Sequence, residues 1–331
     1  MQKRIQEIIY LKKNLIKIVP LISFAIALLW LFLINPSSFE LMWKGRTFQI
    51  FFIWLITIEL ILNWNIIQTK EKSFFSIKSL SYITTLTLPM GYIIISNYLG
   101  LNGLIANISQ QIGLQWWNSM SLSVEYLVFT VLFSLIIYSS FGKKGLKEFS
   151  APLFFLGIVG TIYTIDNIFP YGEFTPFQLM VPTTAILAAN ILGFMGYNTT
   201  LAPMGSMSRL TVSNPEIVLR SATFDIAWPC AGIESLLIYS IIVVLFLKRT
   251  QINSKEKIIY FLIGAMITYF INILRIVTIF LIGMNLGDVQ VFHLYYGPLY
   301  SISWIISYPL IILAIQKFRK KLKGNTTSLN S

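Results

Sequence analysis

Long apolar runs limit what this chain of 331 residues can fold into. Several reach the roughly 20 residues that a helix needs to cross a bilayer. Only 11% of the residues are charged, whereas a soluble domain carries about a quarter. The pattern predicts an all-α, polytopic transmembrane helical bundle with about eight or nine apolar segments and one long outer loop. The predicted segments are 18–34, 48–67, 80–99, 122–141, 152–169, 177–194 (the weakest), 230–247, 258–283 and 299–315.

Lysine and arginine lie mainly in short stretches beside these apolar runs, which is the positive-inside pattern. It predicts a multi-pass protein of the cell membrane with the N-terminus, the basic stretches and the C-terminal tail in the cytoplasm. The stretch 100–121 has neither Lys nor Arg, so we expect it outside. The positive-inside pattern explains where the lysines and arginines behind the net charge of +12 lie. We therefore predict no nucleic-acid partner.

The segment 177–194 conflicts with this orientation. If it crossed the membrane after 152–169, residue 230 would face the cytoplasm, but the basic stretch after Leu247 indicates the opposite. Either 177–194 is re-entrant or lies at the outer surface, or another span is miscounted. We follow the charge pattern, which puts residues 230 and 293 outside. Within the long loop 196–228, the alternation at 205–212 predicts a short hairpin.

The chain has one cysteine and one histidine. This excludes an internal disulfide and argues against zinc, which takes three or four protein ligands, so we predict no metal and no cofactor. Pro229 suits a first helical position, which would put Cys230 in a first turn where the helix dipole favours a thiolate. The alternative is a small buried hydrophobic residue, the commonest fate of a free cysteine. Glu234 would share the helical face of Cys230, and Asp225 is a candidate cap for that helix.

Arg275 lies inside an apolar run, roughly 12 Å from the predicted outer end of its helix at 1.5 Å per residue. Intramembrane charges face the protein interior or a wet cavity and indicate function. Asn272 lies on the same face, within a polar stripe that also contains Thr268 and Thr278. The alternative is a structural ion pair with Glu234 or Asp166.

His293 lies in a predicted short outer loop with Asp288. Alone, an interfacial histidine is unremarkable. Together with Cys230 and Arg275 on the same side of the membrane, it completes a thiol, an imidazole and a guanidinium. These are the parts of a cysteine acyl-transfer site.

At these residues the chain resembles the exosortase/archaeosortase family of polytopic membrane cysteine transpeptidases. The family's cysteine motif reads Cys230-Ala231-Gly232-Ile233, with Ala231 in place of the usual Ser or Thr. Its Asn-x-x-Arg-Ile motif reads Asn272-Ile273-Leu274-Arg275-Ile276, and His293 matches its third position. The resemblance covers roughly 152–315 and implies an exosortase/archaeosortase-like catalytic core in 152–317. The apolar runs predict N-terminal transmembrane helices in 1–151, and the charge pattern predicts a basic cytoplasmic tail in 318–331.

The resemblance also implies a reaction. The substrates would be secreted surface proteins with a C-terminal motif, a transmembrane helix and a basic cluster, and a lipid is a possible acceptor. We expect Cys230, Arg275 and His293 to be catalytic and Asn272 and Glu234 to bind substrate. Two alternatives stay open: a transporter or flippase in which Glu59, Asp166 and Arg275 line a path, and a noncatalytic membrane scaffold.

Overall fold

The computed structural model describes residues 2–40, 44–65, 67, 77–114, 116–169, 176–217 and 220–327. They form two compact units, Met1–Pro170 and Tyr171–Ser331. The first contains α1 (Gln2–Ile34), α2 (Thr47–Leu62), α3 (Ile77–Tyr98), α4 (Leu101–Gln111), α5 (Met120–Glu148) and α6 (Ser150–Ile168), with 3-10 turns at Pro36–Phe39 and Trp117–Ser119.

The second unit combines helices with a small sheet. Its elements are a 3-10 turn (Pro176–Leu179), α7 (Met180–Phe194), β1 (Asn198–Met204), β2 (Met207–Ser213), β3 (Ser221–Ile226), a second 3-10 turn (Trp228–Ala231), α8 (Ile233–Arg249), α9 (Ser254–Met284), α10 (Val289–Val291), a π-helical turn (Phe292–Tyr296) and α11 (Gly297–Thr327).

The apolar helices confirm a multi-pass membrane protein, but the predicted count of eight or nine segments is not confirmed. α2, α7 and α8 have 16, 15 and 17 residues, and 15 residues extend only about 22 Å of the roughly 30 Å hydrocarbon core. Among the described residues, the helices long and apolar enough to cross are Lys17–Ile34, Trp117–Glu148, Ser150–Ile168, Ser254–Met284 and Leu299–Arg319, with a sixth if Tyr82–Tyr98 and Leu101–Gln111, which are bent by 63°, count as one span.

Two sequence predictions need correction. The stretch 100–121, expected to be a loop, contains the helix α4, which begins after Gly100 turns the chain with a φ of +81°. The bundle is predominantly helical, but an all-α fold is wrong for the long loop 196–228, which folds into an antiparallel sheet of order β1-β2-β3. A hairpin is present, but its bounds differ from those predicted: it is formed by β1 and β2, and the predicted range 205–212 covers only its turn, which contains Gly205, and most of β2.

The core of the first unit is aromatic. Phe24 of α1 is fully buried and meets Phe52, Phe129 and Phe133 edge to face, with ring centroids 5.4, 5.7 and 5.6 Å away. Aromatic pairs in this arrangement add to the free energy of apolar burial. Packing of this kind ties α1, α2 and α5 together.

Buried charges in the first unit are paired. Lys44 Nζ lies 2.7 Å from Asp166, and both side chains are 5% exposed. Arg46 donates two hydrogen bonds to Glu125, at 2.7 and 2.8 Å, and Gln49 donates a third at 2.6 Å. The charged groups are therefore compensated by one another, as burial requires, although Gln49 Oε1 has no hydrogen-bond partner among the described residues.

In the second unit, one apolar face of the sheet packs on α9. Ala222 and Ile226 of β3 are buried, and Phe224 between them meets Phe280 of α9 at a centroid distance of 5.0 Å. Gly283 lets the helix come close, because a Cβ there would lie 2.9 Å from the Phe224 ring. This contact fixes the end of β3 beside the C-terminal half of α9.

Candidate active site

Cys230 lies in the short 3-10 turn Trp228–Ala231, which joins β3 to α8. The Cys230 amide donates a hydrogen bond of 3.0 Å to the Ala227 carbonyl, so the turn closes on itself. Gly232 then takes a φ of +90°, a conformation that costs a residue with a Cβ free energy. The glycine of the cysteine motif therefore ends the turn and starts α8.

This arrangement corrects the sequence interpretation. Cys230 was expected in the first turn of a long helix, but α8 begins at Ile233, after the left-handed Gly232. The helix-dipole argument for a thiolate therefore does not apply to Cys230, and the i, i+4 argument that placed Glu234 on its face fails for the same reason. Glu234 is exposed, and its role in substrate binding stays a prediction.

Asn272 joins the two motifs. Its side-chain amide donates a hydrogen bond of 2.9 Å to the Cys230 carbonyl, and it is almost fully buried. A Cβ on Gly232 would lie 3.0 Å from the Asn272 amide carbon, which is tighter than ordinary contact. The glycine of one motif and the asparagine of the other thus fit against each other, and Asn272 holds the turn rather than lying free.

Arg275 lies one turn beyond Asn272 on α9 and reaches His293. Its Nη2 donates a hydrogen bond of 3.1 Å to the His293 carbonyl and lies 3.4 Å from His293 Nδ1. Because an arginine cannot accept a hydrogen bond, the second contact requires the lone pair of neutral His293 on Nδ1. Arg275 Nε is buried and has no hydrogen-bond partner among the described residues.

His293 is held in a π-helical turn, Phe292–Tyr296, a geometry often found at functional sites. Asp288 fixes the start of this segment, because its Oδ1 accepts a 2.9 Å hydrogen bond from the Val291 amide. After the turn, a Cβ on Gly297 would lie 2.6 Å from Arg275 Nε. The guanidinium therefore passes directly over the glycine.

A cavity of about 360 Å³ connects these groups. Its volume is in the range of small-ligand sites. Cys230, Asn272, Arg275 and His293 give it a polar region, and most of the remaining wall is apolar. The other lining residues are Phe224, Asp225, Ile226, Ile276, Ile279, Phe280, Val289 and Gln290.

The resting protonation state is neutral at both Cys230 and His293. Burial raises the pKa of the Cys230 thiol above its ordinary value, although the Arg275 charge lowers it in part. Burial, with the Arg275 charge second, lowers the pKa of His293. A pre-formed thiolate–imidazolium pair is therefore disfavoured, and the thiol would have to lose its proton as it reacts.

The direct ion pairs that the sequence offered for Arg275 are absent among the described residues. Asp166 pairs with Lys44 in the other unit, and Glu234 contributes to the charge surroundings of Arg275 without forming an ion pair with it. Asp225 does not cap a helix, because it forms a two-pronged pair with Arg209 across the sheet, at 2.7 and 2.8 Å. The stripe residues Thr268 and Thr278 bond to Trp304 and the Leu274 carbonyl.

The transporter alternative gains no support from its acidic residues. Asp166 is neutralised by Lys44, and Glu59 accepts a 2.7 Å hydrogen bond from Asn63 within α2. Neither carboxylate lines the cavity that contains Arg275.

Sequence reasoning missed part of the cavity wall. Phe224 and Ile226 line it from β3, and Gln290 lines it from α10. The alternation of apolar and polar residues in 221–226 was the available signal for the strand. For Gln290 and for the close approach of Gly297 to Arg275, the sequence holds no comparable signal.

Comparison with known proteins gives one match. A family model described as "Transmembrane exosortase (Exosortase_EpsH)" matches residues 94–310. That range contains Cys230, Asn272, Arg275 and His293. No curated protein and no solved structure matches the chain.

Proposed function

Because the chain belongs to the transmembrane exosortase family, we propose that it is a membrane-embedded cysteine protease and transpeptidase. Its substrates are secreted surface proteins that end in a short motif, a transmembrane helix and a basic cluster. The enzyme cuts at the motif and passes the new C-terminus to an acceptor, for which a membrane lipid is our proposal.

One observation carries this proposal: three separate sequence motifs meet at one cavity through two backbone anchors. Asn272 holds the Cys230 carbonyl at 2.9 Å, and Arg275 holds the His293 carbonyl at 3.1 Å. Each anchor fixes the backbone of a reactive residue, and such fixing supplies the orientation that nucleophilic catalysis needs. A lone buried cysteine used for packing would need neither anchor.

The first chemical step forms a thioester. Cys230 Sγ attacks the scissile carbonyl carbon, and the thiol proton passes to neutral His293. As negative charge develops on the carbonyl oxygen, an Arg275 N–H donates to it. Arg275 Nη2 lies 3.4 Å from His293 Nδ1. Rotation of the guanidinium towards the oxyanion would therefore also free His293 Nδ1 to accept the thiol proton.

Loss of the amine completes the thioester, which an acceptor then resolves. The tetrahedral intermediate collapses, the C–N bond breaks, and the leaving amine takes the proton from the His293 imidazolium. The acceptor nucleophile, or water, then attacks the thioester carbonyl while His293 removes its proton. Cys230 leaves as a thiolate and takes that proton from the His293 imidazolium, so the enzyme returns to its starting state.

We propose that the reaction takes place at the outer face of the cell membrane. The support is the distribution of lysine and arginine, which marks the stretch before α9 as cytoplasmic. Since α9 is long and apolar enough to cross the membrane, its C-terminal end would lie towards the outer face, and Asn272 of α9 holds the Cys230 carbonyl. A substrate helix held in the same bilayer raises the effective concentration of its scissile bond near Cys230. The chain thereby needs little soluble surface to recruit its substrate.

The test uses a tagged secreted protein with such a C-terminal signal from the same cell. We expect Cys230→Ala and Cys230→Ser both to leave it at full length in the membrane, because a hydroxyl is far harder to deprotonate than a thiol. Ser235→Ala is the matched control: Ser235 is buried nearby and bonds Ser301 but does not line the cavity. Unchanged processing by Cys230→Ala, measured by gel shift, would refute the proposal.

A further inference from the structure

β3 is an edge strand that leads directly to the cysteine. The sheet order is β1-β2-β3, so β3 pairs only with β2 among the described strands. It ends at Ile226, and Cys230 follows after the short connection through Ala227. An exposed strand edge is a template for pairing with another extended segment.

The register shows which backbone groups lie on the free edge. The Asn214 amide donates a 2.9 Å hydrogen bond to the Arg220 carbonyl, which continues the β2–β3 ladder by one pair. Hydrogen-bonded pairs alternate in an antiparallel ladder, so Ala222 and Phe224 bond to β2. The amides and carbonyls of Thr223 and Asp225 therefore point away from β2, and neither residue's backbone bonds any other described residue.

The cavity runs along this edge. Three consecutive β3 residues, Phe224, Asp225 and Ile226, line it. Successive strand side chains point to opposite faces of a sheet, so a cavity on one face would meet every second residue. From contact with all three we infer that the cavity reaches the strand's edge, and Val289, Gln290 and His293 line the same cavity.

The two edges of the sheet differ. The backbone groups of Leu210 and Val212 in β2 bond to β3, so those of the alternate β2 residues bond to β1. The backbone groups of Leu201 and Pro203 therefore point away from β2, along the free edge of β1. A proline there removes an edge donor, a common protection against strand addition. β3 has no proline on its edge, so the edge beside Cys230 is the one open to pairing.

We propose that the extended substrate segment on the acyl side of the scissile bond binds as a fourth strand on β3. The backbone amides and carbonyls of Thr223 and Asp225 pair with the substrate backbone and direct its scissile carbonyl towards Cys230. Alternate substrate side chains then enter the apolar part of the cavity between Phe224 and Val289. This mode gives affinity through the main chain and specificity through every second side chain. The inference rests on the proposed function and adds how the substrate is held.

Thr223→Pro tests the inference in the enzyme. It removes an edge amide that β2 does not use, so the sheet ladder stays intact. We expect a three- to tenfold rise in KM, about the effect of one hydrogen bond, with kcat little changed. The matched controls are Leu201→Pro, which does the same on the other edge, and Thr223→Val, which removes the hydroxyl bonded to Thr211 but keeps the amide. Equal KM values for all three variants and the parent would overturn the inference.

A second measurement leaves the enzyme untouched. Synthetic peptides that cover the acyl side of the cleavage site in the tagged substrate, each with one backbone N-methyl group, serve as competitive inhibitors. Strand pairing predicts that inhibition weakens at every second position. If the N-methyl group weakens inhibition equally at every position, or at no position, strand pairing is overturned. This result holds even if Thr223→Pro fails to fold. Because processing by Cys230→Ala is scored separately, failure of the inference is distinguishable from failure of the proposed function.

Discussion

The two units of the chain treat buried positive charge in opposite ways. In the first unit, Arg46 has its charge matched by Glu125 at 2.7 Å, and Lys44 has Asp166 at the same distance. In the second unit, Arg275 has no ion pair with a described carboxylate, donates to a backbone carbonyl, and keeps one buried donor unused beside a cavity. The first-unit charges are compensated by direct ion pairs, whereas Arg275 keeps a donor free at the cavity although the Glu234 carboxylate acts on it without a direct ion pair. The difference indicates structural charges in the first unit and a catalytic charge in the second.

The largest effect on stability is expected from Glu125→Gln. Removing one partner of a buried pair leaves the other charge uncompensated, at a cost of about 3–5 kcal/mol. We expect a clear fall in the melting temperature of the detergent-purified protein. Glu40→Gln is the control, because Glu40 lies in the same unit, is exposed and forms no ion pair with a described residue. Equal melting temperatures for the two variants would erase the contrast between the units.

Arg275→Lys should have the opposite profile. A lysine keeps the charge but loses the planar fork of donors, and loss of one oxyanion donor lowers kcat on the order of 100- to 1000-fold. The melting temperature should fall much less than in Glu125→Gln, because only the hydrogen bond to the His293 carbonyl is affected and no ion pair is broken. Arg220→Lys is the control, since Arg220 is exposed and bonds Asn285. Near-normal processing by Arg275→Lys would mean that a positive charge alone suffices.

The smallest expected effect is a shift in a titration. His293 is the chain's only histidine, so a single imidazole resonance reports on it. Burial and the Arg275 charge lower its pKa, so the midpoint should lie below about 6.5. If neutral His293 is the base, kcat/KM should fall as the pH drops through that same midpoint.

Arg275→Gln removes the Arg275 charge, which is one of the two causes of the lowered His293 pKa. It should therefore move the His293 titration midpoint upwards, towards the ordinary value. A midpoint above 6.5 in the parent protein would contradict the assigned surroundings of His293. A midpoint that Arg275→Gln leaves unmoved would break the link between the guanidinium and the imidazole.

How far the sequence predicts the site depends on the range of the contacts. Asn272 and Arg275 lie three residues apart on one helix, so their shared face follows from helical spacing, and the structure brings both to the cavity. The place of Cys230 relative to α8 was mispredicted, because the left-handed Gly232 is a single backbone event that apolar periodicity does not reveal. Contacts such as Gly297 with Arg275 depend on tertiary packing and leave no local pattern.

The fold shows the same division. Long apolar helices such as α9 were predicted because their signal extends over many residues. β3 has only six residues, and its burial depends on Phe280 and Gly283, which lie more than fifty positions further along the chain. The part of the wall that β3 supplies, Phe224, Asp225 and Ile226, is therefore not predictable from sequence periodicity.

The most direct test of the account is to intercept the acyl group on Cys230. Hydroxylamine attacks a thioester carbonyl, releases the thiol and leaves a hydroxamate on the acyl fragment. We predict that substrate processed with hydroxylamine present carries a C-terminal hydroxamate at the cleavage site, detected by mass spectrometry, and that Cys230→Ser yields none. A free carboxylate alone, at every hydroxylamine concentration and with processing otherwise normal, would contradict the thioester and with it the catalytic assignment of Cys230.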